Sequence, residues 1–450
     1  MSSTRTDHLA RALAALYKRR NFGIKLGLGP ERALLHRLGD PHLAYPVIHV
    51  AGTNGKGSVC AILESVLRAA GYRTGLYTSP HLVRFNERIR IAGACISDQD
   101  LAGLLSDVQA AVAAVEPADA GRALTFFEVA TALAFEQFRR SDVEIAVVET
   151  GLGGRLDATN VVEPLLSVIT RISLDHTEHL GPDLESIAAE KGGIIKRGRP
   201  VICGAMAPEA RAVLAQIAAE RNAAFLAAAD VTRVTRTRAK TGTSRVRIES
   251  MDAVYGPTEF ALLGPHQIEN CATALTALTC LAAAGPFDIT EQAVKTGLRT
   301  VRWPGRLQLL EPAPPLLLDG AHNPEAARAL GDTLRQTFGK RPVGIVLGMC
   351  TDKDAGGILK QLGRVAARWW TVPIRNERSR NPDELANLLR ARGARVEARS
   401  LPAALAAAQR WAAKRDGIVC VTGSLFLVGE VLELQSGPDI FAERKPGPLG

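Results

Sequence analysis

The chain has 450 residues, 46% of them hydrophobic and 22% charged, which is more than one ordinary domain holds and enough for a core without disulfide or metal staples; two globular units are expected. Its seven cysteines form no CxxC pair and no compact even framework, so they read as buried thiols of a reducing compartment, and no apolar run approaches the roughly 18 to 20 residues of a membrane span. A net charge of +9 with only 5% aromatics, and basic residues spread along the chain, argues against nucleic-acid binding and for a solvated basic surface or an anionic small-molecule substrate.

In chain order, LARALAALYKRR reads as an amphipathic helix leading into the first domain rather than a transit peptide, and no secretory apolar block precedes it, so a cytoplasmic protein is expected. From Tyr45, the apolar run YPVIHVAG passes through a glycine-rich turn into the helical stretch SVCAILESVLRAAG. The same strand, loop and helix alternation recurs at EIAVVETGLGG, PLLSVITRI and PVICGA, which implies a mostly parallel sheet with helices on both faces. Residues 231–262 alternate β-branched and polar side chains around KTGT and predict an antiparallel hairpin at the edge of that domain. Proline and glycine concentrate in LRTVRWPGRLQLLEPAPP, which places a boundary near Val301 to Gly305 and divides the chain into residues 1–302 and 303–450. The second unit opens with PLLLDGAHNP and continues through RPVGIVLGMC, RWWTVPI and DGIVCVTGS, each a strand with helical sequence between.

The sharpest local signal is Gly52-Thr53-Asn54-Gly55-Lys56-Gly57-Ser58, between a strand and a helix. Binding a triphosphate needs close backbone approach, amide donors at a helix N-terminus and a lysine to offset charge, and all three are in this loop. It departs from the commonest P-loop, because Val50 stands at the first glycine position and Gly57 separates the lysine from its hydroxyl residue. Glu149, at the end of a buried strand and before Gly151-Leu152-Gly153-Gly154, is where an open α/β sheet offers an oxygen to Mg²⁺ on a nucleotide. By itself such a residue is as often part of a loop's own structure. Asp175-His176 and Ser79-Pro80 also follow strands, although a lone histidine at such an edge is commonly a surface residue.

GTNGKGS, TSPHLVRFNERI, ETGLGGRLDATN, LDHTEHLG, AAEKGGIIK, GPHQIEN, WPGRL, DGAHNP, GMCTDKD and TGSLFLVGE occur in the order found in the folylpolyglutamate synthase and dihydrofolate synthase family, a branch of the Mur ligase superfamily. The resemblance runs from about residue 7 to 432. It implies a P-loop-containing, mostly parallel sheet domain of the Mur central type followed by a smaller Rossmann-like α/β domain. It implies ATP bound by Thr53, Asn54, Gly55, Lys56, Gly57 and Ser58, with Asn270, Arg306 and Asp319 contacting base, phosphates and ribose. Ser79, Glu149 and His176 match ligands of one Mg²⁺, and Lys191 matches a lysine whose carbamate holds a second. Leu26, Gly27, Thr125, Phe127, Leu156, Asp157 and Ala158 match a pterin pocket; relatives often carry an acidic residue where this chain has Lys25. His322 and Ser424 match amino-acid positions of the second domain, and Lys56, Lys191 and His322 are the implied catalytic set. The implied reaction uses ATP, dihydropteroate or a reduced folate, and L-glutamate, in a monomer without nucleic-acid or membrane partners. The rival, a Mur-type ligase acting on a UDP-linked substrate, would need a further domain where only about 50 residues precede the glycine loop.

Overall fold

The computed structural model describes residues 2–23, 27–116, 123–240, 243–250, 253–310, 314–437 and 440–441. An eight-stranded sheet organises the first body: β1 (Val47–Ala51), β2 (Thr74–Tyr77), β3 (Ile89–Ile91), β4 (Ala94–Cys95), β5 (Ile145–Glu149), β6 (Leu166–Ile169), β7 (Val201–Cys203) and β8 (Phe225–Ala227). Their order is β4-β3-β2-β5-β1-β6-β7-β8. Every pair from β2 to β8 is parallel, and β3 and β4 turn antiparallel at one edge.

β1 sits between β5 and β6, and all three are buried along their whole length, as the unbroken apolar runs demand of strands covered on both faces. Alternate residues serve opposite layers. Ala146 and Val148 pack with Phe135 and Phe138 of the helix Phe126–Arg140, whereas Ile145 and Val147 pack with Ile62 and Val66 of the helix Lys56–Ala69 and with the helix Pro265–Ala284.

The expected edge hairpin is instead a separate three-stranded antiparallel sheet, β9 (Thr232–Lys240), β10 (Thr243–Ser250) and β11 (Ala253–Phe260), that pairs with no strand of the main sheet. Its alternation has a simple cause: Val246 and Ile248 face the layer of the Pro265–Ala284 helix while Arg245 and Arg247 face solvent. The third strand is masked in the sequence by Gly256-Pro257, which a free-edge strand tolerates because proline there forfeits no ladder bond; the register shifts at that point, between Val246 and Ile248. Residues 241 and 242 of the KTGT turn lie outside the described residues.

The helix Glu291–Thr300 ends the first body, and residues 301–307 lead into a six-stranded sheet: β12 (Gln308–Leu310), β13 (Leu316–Leu318), β14 (Val343–Leu347), β15 (Ala366–Thr371), β16 (Val396–Ala398) and β17 (Ile418–Thr422). The order is β12-β13-β17-β14-β15-β16, parallel except for β12. Helices again cover both faces, over Ile345, Leu347 and Cys420 on one side and Val346, Val419 and Val421 on the other. The two-domain α/β architecture is the expected one. Among the described residues no helix is long and apolar enough to cross a membrane, and Cys60, Cys203, Cys271, Cys350 and Cys420 are buried free thiols.

Candidate active site

The glycine loop leaves β1 and feeds the N-terminus of the helix Lys56–Ala69. Gly52 has φ 146°, and a Cβ there would stand 1.8 Å from Thr170 Oγ1, so no other residue fits. Thr53 N–H and Asn54 N–H donate to Arg171 O at 2.9 and 3.2 Å, which ties the loop to the segment after β6. Lys56 Nζ arches back over the loop and donates to Gly52 O (3.0 Å) and Thr53 O (3.3 Å). Lys191, near the end of the helix Leu184–Gly192, reaches the same Gly52 O at 3.0 Å. Burial, reinforced by the charge of Lys56, brings the Lys191 amine down to about 7.

Glu149 ends β5 next to β1. Its Oε2 accepts Ser79 N–H at 3.0 Å; burial pushes the carboxyl up, against the pull of Lys56, the Ser79 amide and Arg306. Past the glycines, Asp157 Oδ2 accepts the N–H groups of Gly151 (2.9 Å) and Leu152 (2.8 Å), while Oδ1 accepts Thr159 N–H and the Thr159 hydroxyl. Thr125 caps the helix Phe126–Arg140 through a reciprocal pair with Glu128. Asn270, on the helix Pro265–Ala284, lies against Gly55 and donates to Gln267 Oε1 at 3.0 Å.

The second body closes over this edge. Asp319, directly after β13, accepts Leu307 N–H and Ala321 N–H, both at 2.9 Å, beside Arg306. His322 Nδ1 donates to Gly320 O at 2.8 Å, which leaves Nε2 as an acceptor, 3.8 Å from Asp175 Oδ2. Polar ties join the bodies, among them Asn323 to Asn54 (3.0 Å) and Asp175 (3.3 Å), Glu325 to Asn54 (3.1 Å), Arg171 (3.2 Å) and Ser173, and Lys353 to Asp175 (2.9 Å). Burial raises the Asp175 carboxyl, but the charges of His176, Lys353 and His322 outweigh it and hold the group well below the usual carboxylate range.

Most of these side chains line one cavity of about 1520 Å³. Its wall includes Gly27, Thr53 to Ser58, Ser79, Thr125, Phe127, Glu149, Leu156 to Ala158, His176, Lys191, Asn270, Arg306, Asp319 and His322. Ser424 stands apart from the other sequence-predicted residues: its hydroxyl accepts Phe426 N–H as the cap of the helix Leu425–Ser436, and the wall at that point is Leu425 and Phe426. Leu26 lies outside the described residues. Sequence reasoning overlooked Arg171, Asp175's partner Lys353, Asn323 and Glu325, whose ties between the bodies join residues more than 140 positions apart along the chain.

Residues 50–278 match the Mur ligase middle domain, and residues 305–425 match the Mur ligase glutamate ligase domain. A dihydrofolate synthase/folylpolyglutamate synthase of Bacillus subtilis is 39% identical over 352 residues, covering 78% of this chain and 82% of that one. The chain belongs to the dihydrofolate synthase/folylpolyglutamate synthase family. Among solved members of that family, Mycobacterium tuberculosis folylpolyglutamate synthase complexed with ADP and AMPPCP superposes with a TM-score of 0.90 at 32% identity, over 96% of this chain and 99% of that one. Escherichia coli FolC in complex with DHPP and ADP gives 0.84 at 33% identity, over 94% and 97%. As a dihydrofolate synthase/folylpolyglutamate synthase, the chain is an ATP-dependent ligase of the Mur type, and the reading as a ligase of UDP-linked substrates is not favoured.

Proposed function

We propose that the chain joins L-glutamate to the carboxylate of dihydropteroate and of reduced folates, through an acyl phosphate formed at the expense of ATP. One observation carries this: Lys56, Glu149 and Lys191 of the first body and Arg306, Asp319 and His322 of the second line the same cavity. Relatives solved with ADP, AMPPCP and DHPP support nucleotide and pteroate substrates for that cavity. The proposed units are residues 1–302, with the nucleotide and pterin sites, and 303–450, with the amino-acid site.

In this reading Thr53 to Ser58 cradle the triphosphate, and Lys56 leaves the loop carbonyls to meet it. Asn270 takes the base, Arg306 a phosphate and Asp319 the ribose. Phosphoryl transfer of this kind calls for Mg²⁺, and the donors are suited to it. Glu149 is a buried carboxylate with one oxygen held by Ser79 N–H, and Ser79 and His176 line the same cavity. Mg²⁺ on a nucleotide takes few protein ligands and fills its shell with phosphate oxygens and water. Ser79, Glu149 and His176 would hold one Mg²⁺. Lys191, buried and brought down to about 7 so that a substantial share is uncharged near neutral pH, is suited to take CO₂ as a carbamate whose oxygens would hold a second. Bound there, Mg²⁺ supplies charge neutralisation on the phosphates.

Gly27, Thr125, Phe127, Leu156, Asp157 and Ala158 form the pterin side of the cavity, and Leu26 is proposed beside them. The substrate carboxylate attacks the γ-phosphorus in line, ADP leaves, and an acyl phosphate forms; the amine of glutamate, once deprotonated, then attacks the acyl carbon, and phosphate is expelled as the amide forms. His322, with Nε2 free to accept, holds the glutamate amine and draws off its proton, and Ser424 supports that end of the site through the helix it caps. Closure about Trp303 to Gly305 excludes water from the acyl phosphate. The test is phosphate release by the purified protein with ATP and Mg²⁺: it should require both a pterin carboxylate and glutamate. Release that proceeds fully without either would sink the ligase reading.

A further inference from the structure

One part of the cavity wall carries positive charge that this chemistry leaves unused. Arg20 follows the N-terminal helix and Arg88 ends the turn Phe85–Arg88 before β3, yet both guanidinium groups lie on the same ring, Phe126, at 4.8 and 5.2 Å. Arg20 also covers Tyr17 at 4.5 Å, and Tyr17, Arg20, His81, Arg88 and Phe126 all face the cavity. Arg88 is 4% exposed, and its Nε donates to His81 Nδ1 at 2.7 Å, a ring that burial and Arg88 itself keep neutral.

Neither arginine forms an ion pair among the described residues; the charges acting on Arg88 include a second arginine, Arg20, and the more remote Glu149. A buried guanidinium beside another cation, without a carboxylate, is a costly arrangement unless an anion completes it. Two guanidinium groups on the walls of one cavity are a fitting receptor for a carboxylate. Arg88 O accepts Thr78 N–H at 3.1 Å and the next residue, Ser79, donates its N–H to Glu149 Oε2 at 3.0 Å, so the backbone that carries Arg88 adjoins the Glu149 end of the cavity, where the substrate carboxylate is activated in the proposed reaction.

The two substrate classes differ there. A pteroate has a single carboxylate, which reacts. A folate has two on its terminal glutamate: the γ-carboxylate reacts, and the α-carboxylate is left needing a partner. We propose that Arg20 and Arg88 form a subsite for the α-carboxylate of the terminal glutamyl residue of folate substrates, and thereby set the balance between folate and pteroate substrates. The proposal rests on the ligase reading of the cavity.

The experiment measures phosphate release by the full chain, unaltered and as Arg20→Ala and Arg88→Lys, with tetrahydrofolate, its α-carboxamide analogue and dihydropteroate. Loss of a charge-assisted carboxylate contact should raise KM for tetrahydrofolate about tenfold to a hundredfold. The α-carboxamide should show a similar rise with the unaltered protein and little further rise in the variants, and KM for dihydropteroate should move less than about threefold. An unchanged KM for tetrahydrofolate, or an equal rise with all three substrates, overturns the subsite. Arg20 is exposed, so Arg20→Ala decides the matter even if thermal melting shows that Arg88→Lys does not fold. An unaltered protein inactive with every substrate would instead overturn the ligase reading itself.

Discussion

In the first body the loops after β1, β5 and β6 hold one another: Lys56 and Lys191 share Gly52 O, Ser79 N–H holds Glu149, and Arg171 O receives Thr53 and Asn54. In the second, the loops after β13 and β17 contribute Asp319, His322 and the helix capped by Ser424, and the second body meets the first-body loops through ties at Asn54, Arg171 and Ser173 from the β13 side and at Asp175 from Lys353 in the loop after β14. Both sheets offer the C-terminal ends of parallel strands to the cavity, as open α/β sheets do. The difference is one of preorganisation. The triphosphate cradle is assembled within one sheet, so most of the ADP affinity should survive without closure, with Arg306 and Asp319 adding to it from the second body, while the amino-acid side acquires its position from closure.

That contrast can be broken most severely at Lys191. Lys191→Ala should lower kcat by about a thousandfold or more, as for loss of a group that stabilises transferring phosphate, with ADP affinity in equilibrium titration changed by only a few-fold. Parallel losses of both would refute a role confined to the reaction. At the tie between bodies, Asp175→Asn removes the nearer of the two carboxylates paired with the half-buried Lys353, leaving only Asp352 at 3.7 Å, and the loosened tie should cost about tenfold in kcat/KM for glutamate. ADP affinity should hold, and the double variant with Lys353→Met should recover part of the loss; an equal fall in ADP affinity would mean that the nucleotide side also depends on closure.

Gly57 sharpens the comparison because it belongs to the cradle but touches the connection. A Cβ there would stand 2.4 Å from the Trp303 ring, so Gly57→Ala should reduce both ADP affinity and kcat by about tenfold, an overpacking effect. Adding Trp303→Leu should return part of both in stopped-flow and steady-state assays; no recovery would place the damage in the loop itself.

The smallest effect concerns the strand that carries the cradle. His49, buried in β1 with Nε2 on Thr159 Oγ1 at 2.8 Å, is lowered by burial to about 3 from an ordinary value of 6.5. Below 6.5 the unfolded chain therefore binds a proton that the folded chain refuses. Stability from this group is complete above 6.5 and falls as pH drops towards 3, by at most about 1.4 kcal/mol per pH unit. Thermal melting of His49→Leu against pH should show a shallower acid limb than the unaltered protein, with nothing lost at neutral pH from this term.

Much of the fold was legible along the chain. β1, β5, β6, β7, β14 and β17 are apolar runs that stop at glycine or polar turns, and a strand buried on both faces can have no other composition. β3, β4, β8, β12 and β16 were not legible, because two or three half-buried residues carry no periodicity. β11 was hidden by Gly256-Pro257, and with it the fact that the expected hairpin is a sheet of its own. For the site, the glycine loop and Glu149 could be read from residue types alone; Ser79 was visible as a strand-end residue that acquired a role only through family resemblance, and Lys191 stood out only through that resemblance.

The order of apolar runs, glycine turns and helical stretches by itself determined two doubly covered sheets and a phosphate cradle, because strand-to-loop-to-helix chemistry depends on neighbours in the chain. Only the tertiary structure decided that Lys191 meets Lys56 over Gly52, that Asp175 reaches Lys353, and that Arg20 and Arg88 share one ring. Those contacts join segments far apart in sequence, and their positions follow from how whole layers pack, a constraint that no local pattern of residues expresses.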